Sequence, residues 1–140
     1  MPVYFLVFFD ENIHNISRIA INKTGTKIAI TTEVPPRHLA EEQLEGYNNR
    51  DINTFLKPYT KDVREYRFPN KLEYEGIENM PKRYEGFFKN TPDLHCKIMN
   101  RIVYKNKVID YKIVTTKGTE FKAISIFEVK KRKIISVTFM

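Results

Sequence analysis

The chain has 140 residues, of which 41% are hydrophobic and 29% are charged, and this composition suits one folded domain and excludes a disordered chain. No apolar stretch approaches the roughly 20 residues that a membrane-spanning helix needs, so we expect no membrane partner. The net charge of +7 comes from residues 71–140, and because no nucleic-acid-binding motif accompanies it, we do not expect nucleic-acid binding.

Three runs of β-branched and aromatic residues at the start of the sequence predict two or three strands. They lie at Val3–Phe9, Ser17–Ile21 and Lys27–Glu33, with a hairpin loop at residues 22–26 between the last two. So short a segment cannot hold a hydrophobic core alone. We therefore interpret residues 1–35 as a β extension that packs on the rest of the chain or on a partner subunit, and residues 36–140 as the main domain.

Helical spacing marks the middle of the chain. Ala40, Leu44 and Tyr47 recur at i, i+4 and i+7, which indicates the buried face of a first helix. Asp51 is a good N-cap for a second, short helix. A third helix is predicted to begin near Asn79 and to bury four residues: Met80, Tyr84, Phe87 and Phe88.

Alternation of apolar and polar residues predicts strands in the remainder of the chain. One strand, Val63–Phe68, precedes the third helix, and four longer strands follow it as a meander: Leu94–Tyr104, Lys107–Thr116, Thr119–Val129 and Lys133–Phe139. Several single lysines of the meander are interpreted as outward-facing: Lys97, Lys105, Lys107, Lys112, Lys117 and Lys122. These elements predict an α+β fold in which three helices cover one face of a curved antiparallel sheet.

Several segments, in this order, carry a family resemblance: Gln43–Ile52, Tyr59–Val63, Phe68–Pro69, Tyr74–Met80 and Ile126–Val129. Residues 38–140 thereby resemble the nuclear-transport-factor-2-like (cystatin-like) fold and, within it, the SnoaL-like and ketosteroid-isomerase-like proteins. The resemblance implies a cone-shaped domain in which a bent sheet wraps helices around an apolar pocket, and a dimer formed through the outer sheet face. It implies several functions, namely isomerase, polyketide cyclase, dehydratase, hydrolase or a binder without catalysis.

The residues that the isomerase members use are not matched here. The resemblance implies a proton-shuttling aspartate before the proline that ends the first long strand, but this chain has Arg67 and Phe68 there. The enolate-stabilising tyrosine of the first helix is matched approximately by Gln43, with Tyr47 one turn later. The acid expected on a late strand falls at residues 125–127, which are Ser, Ile and Phe. We therefore do not expect ketosteroid isomerisation.

Another polar set lies on the first two strands of the meander. A two-residue turn that begins at Lys105 would pair Arg101 with Asp110 across the two strands. Alternation would put His95 and Met99 on the same face of the first strand as Arg101. In the functional interpretation His95 is the acid or base, Asp110 its orienter or a second base, and Arg101 a clamp for a developing oxyanion. In the alternative, Arg101 and Asp110 form a structural ion pair that fixes the register.

The resemblance also implies which residues line the pocket. We expect seven: Tyr47, Tyr59, Tyr66, Phe68, Tyr84, Phe88 and Met99. With five glycines and no phosphate-binding loop, we expect no cofactor, and the spacing of histidine and cysteine offers no metal site. The single cysteine, Cys96, excludes an internal disulfide and fits a reducing compartment, which we take as the cytoplasm.

Three classes of function follow. The first is a cofactor-free isomerase, cyclase or dehydratase that works by proton transfer on a small apolar or weakly anionic molecule, as a homodimer. The second is a ligand-binding or dimerisation module without catalysis. The third is an interaction protein whose N-terminal strands offer an edge to a partner strand.

Overall fold

The computed structural model describes residues 4–10, 15–21 and 27–140. Three N-terminal strands, β1 (Tyr4–Asp10), β2 (Asn15–Ile21) and β3 (Lys27–Glu33), form an antiparallel sheet of their own in the order β1-β2-β3. The prediction of two or three strands is therefore confirmed, and the number is three. The predicted hairpin loop at residues 22–26 lies outside the described residues, and the division into a β extension and a main domain stays a prediction.

Three helices follow, namely α1 (Pro36–Asn49), α2 (Ile52–Leu56) and α3 (Asn79–Asn90). The predicted N-cap is confirmed, because a carboxylate oxygen of Asp51 accepts hydrogen bonds from the backbone N–H groups of Asn53 and Thr54 at 3.0 and 3.2 Å. Helix α1 approaches α2 closely at Gly46, where an added Cβ would lie 2.2 Å from the backbone nitrogen of Phe55. Glycine is required there because any side chain would clash with backbone that cannot move independently.

The main sheet has six strands in the order β5-β4-β9-β8-β7-β6. Their bounds are β4 (Tyr59–Arg67), β5 (Lys71–Glu75), β6 (His95–Tyr104), β7 (Lys107–Thr116), β8 (Thr119–Lys130) and β9 (Lys133–Phe139). Strands β6 to β9 form the predicted antiparallel meander, and β4 joins it in parallel beside β9. The short strand β5 is absent from the predicted elements because charged residues occupy three of its five positions. The α+β class with three helices is confirmed.

The core lies between the helices and one face of this sheet, and aromatic rings fill its centre. Phe55 of α2 is 2% exposed, and its ring centroid lies 4.7 Å from that of Tyr84 and 5.6 Å from those of Tyr59 and Phe88. Such tilted and edge-on contacts add to the free energy gained by burying the rings. No helix in the described part of the chain is long and apolar enough to cross a membrane.

Candidate functional site

A cavity of about 390 Å³ lies between the helices and the concave face of the sheet. Its walls are mostly apolar and come from α1, α2, α3 and four strands of the meander, with these residues among them: Leu44, Phe55, Ile98, Val114, Ala123 and Phe127. Phe121, at the start of β8, also lines the cavity and is half exposed. Sites for small molecules commonly measure about 300–1,000 Å³ and have mostly apolar walls, so a compact organic molecule would fit.

Four of the residues proposed from the sequence line this cavity: Tyr47, Tyr59, Tyr84 and Asp110. Phe88 does not line it but packs directly behind the wall, edge-on to Tyr47 with the ring centroids 5.6 Å apart. Arg101 also stays outside the lining and contacts it through Asp110. The structure thus brings together the aromatic residues of the helices and β4 with the carboxylate of β7.

Tyr66 and Phe68 lie elsewhere, and their assignment to the cavity was wrong. Phe68 is 51% exposed just beyond the end of β4, and Tyr66 lines a polar groove with Arg64 on the outer face of the sheet. The inward positions of β4 are Val63 and Glu65, each 1% exposed. Alternation alone defines two faces without saying which is buried, and the wrong face had been chosen.

His95 and Met99 also lie outside the cavity, for a different reason. The predicted pairing of Arg101 with Asp110 is confirmed. However, the register of β6 against β7 shifts just after Ile98, so that Met99 has no paired residue on β7. Such a β-bulge changes which face the following residues occupy. His95 and Met99 are therefore exposed while Arg101 faces inward, so the expectation that all three share one face was wrong.

The Arg101–Asp110 pair is bidentate and buried. Arg101 Nε lies 2.6 Å from one carboxylate oxygen of Asp110 and Nη2 lies 2.8 Å from the other, and the two side chains are 10% and 1% exposed. Arg101 Nη1 also contacts Glu41 of α1 at 3.3 Å. Because both oxygens of Asp110 already accept from a guanidinium, they are poorly placed to take a proton from a ligand. This geometry favours the structural interpretation of the pair.

A second buried carboxylate, Glu65, was missed by the sequence analysis. It accepts hydrogen bonds from the hydroxyl groups of Tyr74 and Tyr84, the latter at 3.3 Å, and it forms an ion pair with Arg83 at 3.1 Å. Burial raises the pKa of Glu65, although the hydrogen bond from Tyr74 and the charge of Arg83 oppose this shift. The sequence contained one indication that Glu65 is buried, because Glu65 lies two residues after Val63 and therefore on the same, inward face of β4.

Gln43 and Tyr59 form another satisfied group in the cavity wall. The Gln43 amide donates to the backbone carbonyl of Ala40 at 2.9 Å, and its oxygen accepts a long hydrogen bond of 3.5 Å from the Tyr59 hydroxyl. Tyr47 differs from Tyr59 and Tyr84, because within residues 34–140 its hydroxyl makes no hydrogen bond to another protein group. Burial, and secondarily the neighbouring Cys96, raise the pKa of Tyr47 well above its ordinary value, so the hydroxyl stays a donor.

Lys112 is the least expected residue of the cavity. It was interpreted as an outward lysine, but it lies on the inward face of β7 two residues after Asp110 and lines the cavity. Its Nζ lies 5.1 Å from the ring centroid of Phe139 and makes no ion pair with any carboxylate in the described part of the chain. Burial lowers the pKa of Lys112, whereas the nearby Cys96 and Asp110 oppose this effect. The sequence did indicate this inward position. Lys112 lies two residues after Asp110 on the same strand and therefore on the same face, and Asp110 was expected to face the pocket.

Helix α1 is fixed to β6 beside these groups. The Asn48 side chain donates to the backbone carbonyl of Cys96 at 3.0 Å and accepts from its N–H at 2.7 Å, and Arg50 donates to the carbonyl of Leu94 at 3.1 Å. These bonds fix the C-terminal end of α1, on which Tyr47 lies, to the start of β6. Cys96, Tyr47 and Lys112 all line the cavity.

Comparison with solved structures supports this architecture. An uncharacterised cystatin-fold protein from Novosphingobium aromaticivorans superimposes with a TM-score of 0.71 at 19% identity, over 77% of this chain and 99% of that one. A candidate SnoaL-like polyketide cyclase from Jannaschia sp. CCS1 gives 0.63 at 15% identity, over 75% and 83%. A candidate ketosteroid isomerase from Kribbella flavida gives 0.62 at 18% identity, over 74% and 75%. At these identities the likeness shows the fold alone.

Comparison of the sequence with curated proteins gives no match. The family model of the SnoaL-like domain, however, matches residues 40–137, which include every element from α1 to β9 in whole or in part. The expected nuclear-transport-factor-2-like fold is therefore confirmed, and the chain belongs to the SnoaL-like domain family.

Proposed function

We propose that the cavity binds a small, mostly apolar organic molecule whose single oxygen group, a carboxylate or carbonyl, contacts Tyr47 and Lys112. One observation carries the proposal. Among residues 34–140, these two are the nitrogen- or oxygen-bearing side chains of the cavity wall that have no hydrogen-bonding or ion-pairing partner within that part of the chain. The others are engaged there: Gln43, Tyr59, Arg83, Tyr84 and Asp110.

The energetics of the two groups favour this kind of ligand. The apolar walls gain free energy by covering an apolar ligand body. Lys112 is partly buried, and an ammonium that is partly removed from water without a counter-ion is unfavourable, so a ligand carboxylate beside Lys112 would restore the lost electrostatic stabilisation. The hydroxyl of Tyr47 would donate to the same oxygen group. A weakly anionic ligand therefore suits the site better than a cationic one.

Cofactor-free proton transfer is the second candidate function, and the environment of Lys112 favours it. An amine with a lowered pKa can accept a proton from a carbon next to a carbonyl group, and the Tyr47 hydroxyl can stabilise the resulting enolate. This is the chemistry of isomerases, cyclases and dehydratases. The names of the cyclase and isomerase neighbours add support by analogy of fold. His95, which is exposed, and Asp110, which is ion-paired, are less suited to the role of base.

Calorimetric titration with two related probes tests the binding proposal. Hydrocinnamate has a carboxylate and hydrocinnamyl alcohol has a neutral hydroxyl on the same apolar body. We expect both to bind and the carboxylate to bind about tenfold more tightly, since a charge-assisted hydrogen bond contributes about 1.5 kcal/mol. Lys112→Met should remove this preference, and Lys122→Met, a control at an exposed position of β8, should retain it. Absence of binding by either probe would contradict the proposal.

Proton transfer is tested separately by deuterium exchange. Benzylacetone, a small aromatic ketone, would be incubated with the protein in deuterium oxide and followed by NMR. We expect exchange at the carbons beside the carbonyl, and we expect it to fall to the background rate in Lys112→Met. If the ketone binds and its exchange is no faster than in buffer, the protein is a binder without this activity.

We also propose a homodimer formed through the outer face of the meander. This face has several apolar side chains, and three of them are well exposed, Ile102 at 55%, Tyr104 at 63% and Tyr111 at 38%. Exposed apolar side chains on one sheet face favour an interface between proteins. Light scattering of the wild type and of Tyr111→Glu tests the homodimer. We expect the wild type to be a dimer and the variant to be a monomer.

We also propose a cytoplasmic location. The buried, free thiol of Cys96 is consistent with it.

A further inference from the structure

Lys112 combines three features that are rarely found together in a structural lysine. Its side chain lines a mostly apolar cavity, its amine makes no ion pair in the described part of the chain, and the acid nearest along its strand is already engaged. A lysine that served only packing could extend its amine to water or to a carboxylate. Here the Nζ lies instead over the aromatic face of Phe139, at 5.1 Å from the ring centroid.

The residues paired with Lys112 across the sheet offer its amine no counter-ion, although the charges of Asp110 and Glu65 act on it and oppose the lowering of its pKa. On one side β6 presents Ile98, and on the other β8 presents Ala123, both directly paired with Lys112 across the sheet. Asp110 shares its face of β7, but Arg101 holds both of its carboxylate oxygens at 2.6 and 2.8 Å. The residues on either side of Lys112 in the sheet are therefore apolar, and its side chain lines the cavity.

We infer that Lys112 is a nucleophile that forms an imine with a small aldehyde or ketone bound in the cavity. This inference rests on the proposed binding function and adds a covalent step and a substrate class to it. The amine must be neutral to attack, and burial, which lowers the pKa of Lys112, supplies the neutral form more readily than at an exposed lysine.

The step balances without a cofactor. The lone pair of Nζ forms a bond to the carbonyl carbon, the π bond of the carbonyl breaks, and the oxygen gains the proton that the attacking nitrogen loses, which gives a carbinolamine. The hydroxyl group then leaves as water, with one proton taken from nitrogen, and a carbon–nitrogen double bond remains. Tyr47 is suited to donate a hydrogen bond to the carbonyl oxygen, since its hydroxyl lines the same cavity without a partner in residues 34–140. Water hydrolyses the imine by the reverse path.

Cys96 is the other nucleophile in the cavity wall, and it is less suited to this role. Burial raises the pKa of its thiol, so the reactive thiolate is disfavoured. The same apolar surroundings therefore have opposite effects on the two groups, because the neutral form is the reactive form of an amine and the unreactive form of a thiol. A saturated aldehyde is the appropriate probe, since it has no second electrophilic carbon for the thiol to attack.

Reductive trapping tests the inference on the intact chain. The protein would be mixed with hydrocinnamaldehyde and sodium cyanoborohydride, which reduces an imine to a stable secondary amine, and the modified lysines would be located by peptide mass spectrometry. We expect Lys112 to be labelled about tenfold faster than exposed lysines such as Lys122, because its amine is more often neutral and the aldehyde is held beside it. Hydrocinnamyl alcohol, which cannot form an imine, should compete and slow the labelling of Lys112 alone.

Two variants separate covalent reactivity from charge. Lys112→Arg keeps the positive charge but cannot form an imine, and Lys112→Met removes both, so both should lose the fast label while Lys122→Met keeps it. If hydrocinnamyl alcohol binds but Lys112 is labelled no faster than Lys122 in the wild type, the nucleophile is refuted and the binding function stands. If the alcohol does not bind and labelling is uniform, both are refuted. The wild-type map decides the matter even if a variant fails to fold.

Discussion

Asp110 and Lys112 lie on the same face of β7, two residues apart, and their surroundings are opposite. Asp110 is 1% exposed and its two carboxylate oxygens accept a bidentate pair of hydrogen bonds from Arg101. Lys112 lines the same cavity and has no counter-ion in the described part of the chain. The difference indicates that the charge of Asp110 is used within the protein, whereas that of Lys112 is available to a ligand.

The contrast continues through the rest of the cavity wall. Tyr84 donates to Glu65, and Tyr59 donates to Gln43, so each hydroxyl already has a partner. Tyr47 has none among residues 34–140. Tyr47 and Lys112 are only partly buried, so their polar groups remain accessible to a molecule in the cavity that they line. A bound molecule would satisfy both unpartnered groups at once, which is why we assign them to the ligand.

The largest expected effect concerns the stability of the engaged pair. Arg101→Met would leave Asp110 buried without its counter-ion, so we expect a loss of about 3–5 kcal/mol in the free energy of unfolding. The matched control is Arg37→Met, because Arg37 also forms an ion pair with Glu41, at 2.9 Å, but is exposed. We expect the control to lose no more than about 0.5 kcal/mol. Urea denaturation measures both, and equal losses would show that Asp110 does not depend on Arg101.

The sequence predicted this ion pair because a two-residue turn fixes the pairing of the strands that it joins. With Tyr104 opposite Lys107, counting back along both strands brings Arg101 opposite Asp110, as the structure confirms. The same counting failed for His95, because it lies on the far side of the bulge at Met99. No residue type in β6 marks a bulge there, so the change of face could not be predicted.

The fold was more predictable than the site for a physical reason. Helices and meander strands follow from local periodicity, and two strands of the meander, β7 and β9, begin and end at the predicted residues. The site depends instead on which charged side chains face inward, and hydropathy favours the outward face for every lysine and glutamate. Lys112 and Glu65 occupy inward positions despite their charge. Only their spacing of two residues from an inward neighbour, Asp110 for Lys112 and Val63 for Glu65, could have identified them.

The next effect compares the two classes of tyrosine. Tyr84→Phe removes a hydrogen bond to the buried carboxylate of Glu65, so we expect a loss of about 1.5 kcal/mol in the free energy of unfolding. Tyr47→Phe removes a hydroxyl without a described partner, so its stability should change by less than about 0.5 kcal/mol. Its affinity for hydrocinnamate should fall instead. Thermal denaturation measures the change in stability, and calorimetric titration measures the affinity for hydrocinnamate. A larger loss of stability in Tyr47→Phe would contradict the distinction between tyrosines that have a partner in the protein and the tyrosine that is available to a ligand.

The pH dependence of Glu65 sharpens the division further. Burial raises its pKa above the ordinary value of 4.5, so the unfolded chain loses this proton at lower pH than the folded protein does. The folded state therefore binds more protons over the interval between the two pKa values, and its stability falls as pH rises through that interval. We expect the wild type to lose stability relative to Glu65→Gln as pH rises from 4.5 towards neutrality. Urea denaturation at several pH values tests this, and a constant difference would contradict it.

The smallest expected effect belongs to Lys112, and its sign is opposite to that of Arg101. Because burial lowers the pKa of Lys112 from 10.5, the charged amine opposes folding at neutral pH, and Lys112→Met should be at least as stable as the wild type. As pH rises from the folded pKa towards 10.5, the unfolded chain keeps the proton that the folded protein has lost, so the wild type gains stability and the difference closes. Lys122→Met should show no such trend. A Lys112→Met variant that is less stable at neutral pH would mean that the amine has a partner in the protein, and the contrast with Asp110 would then be lost.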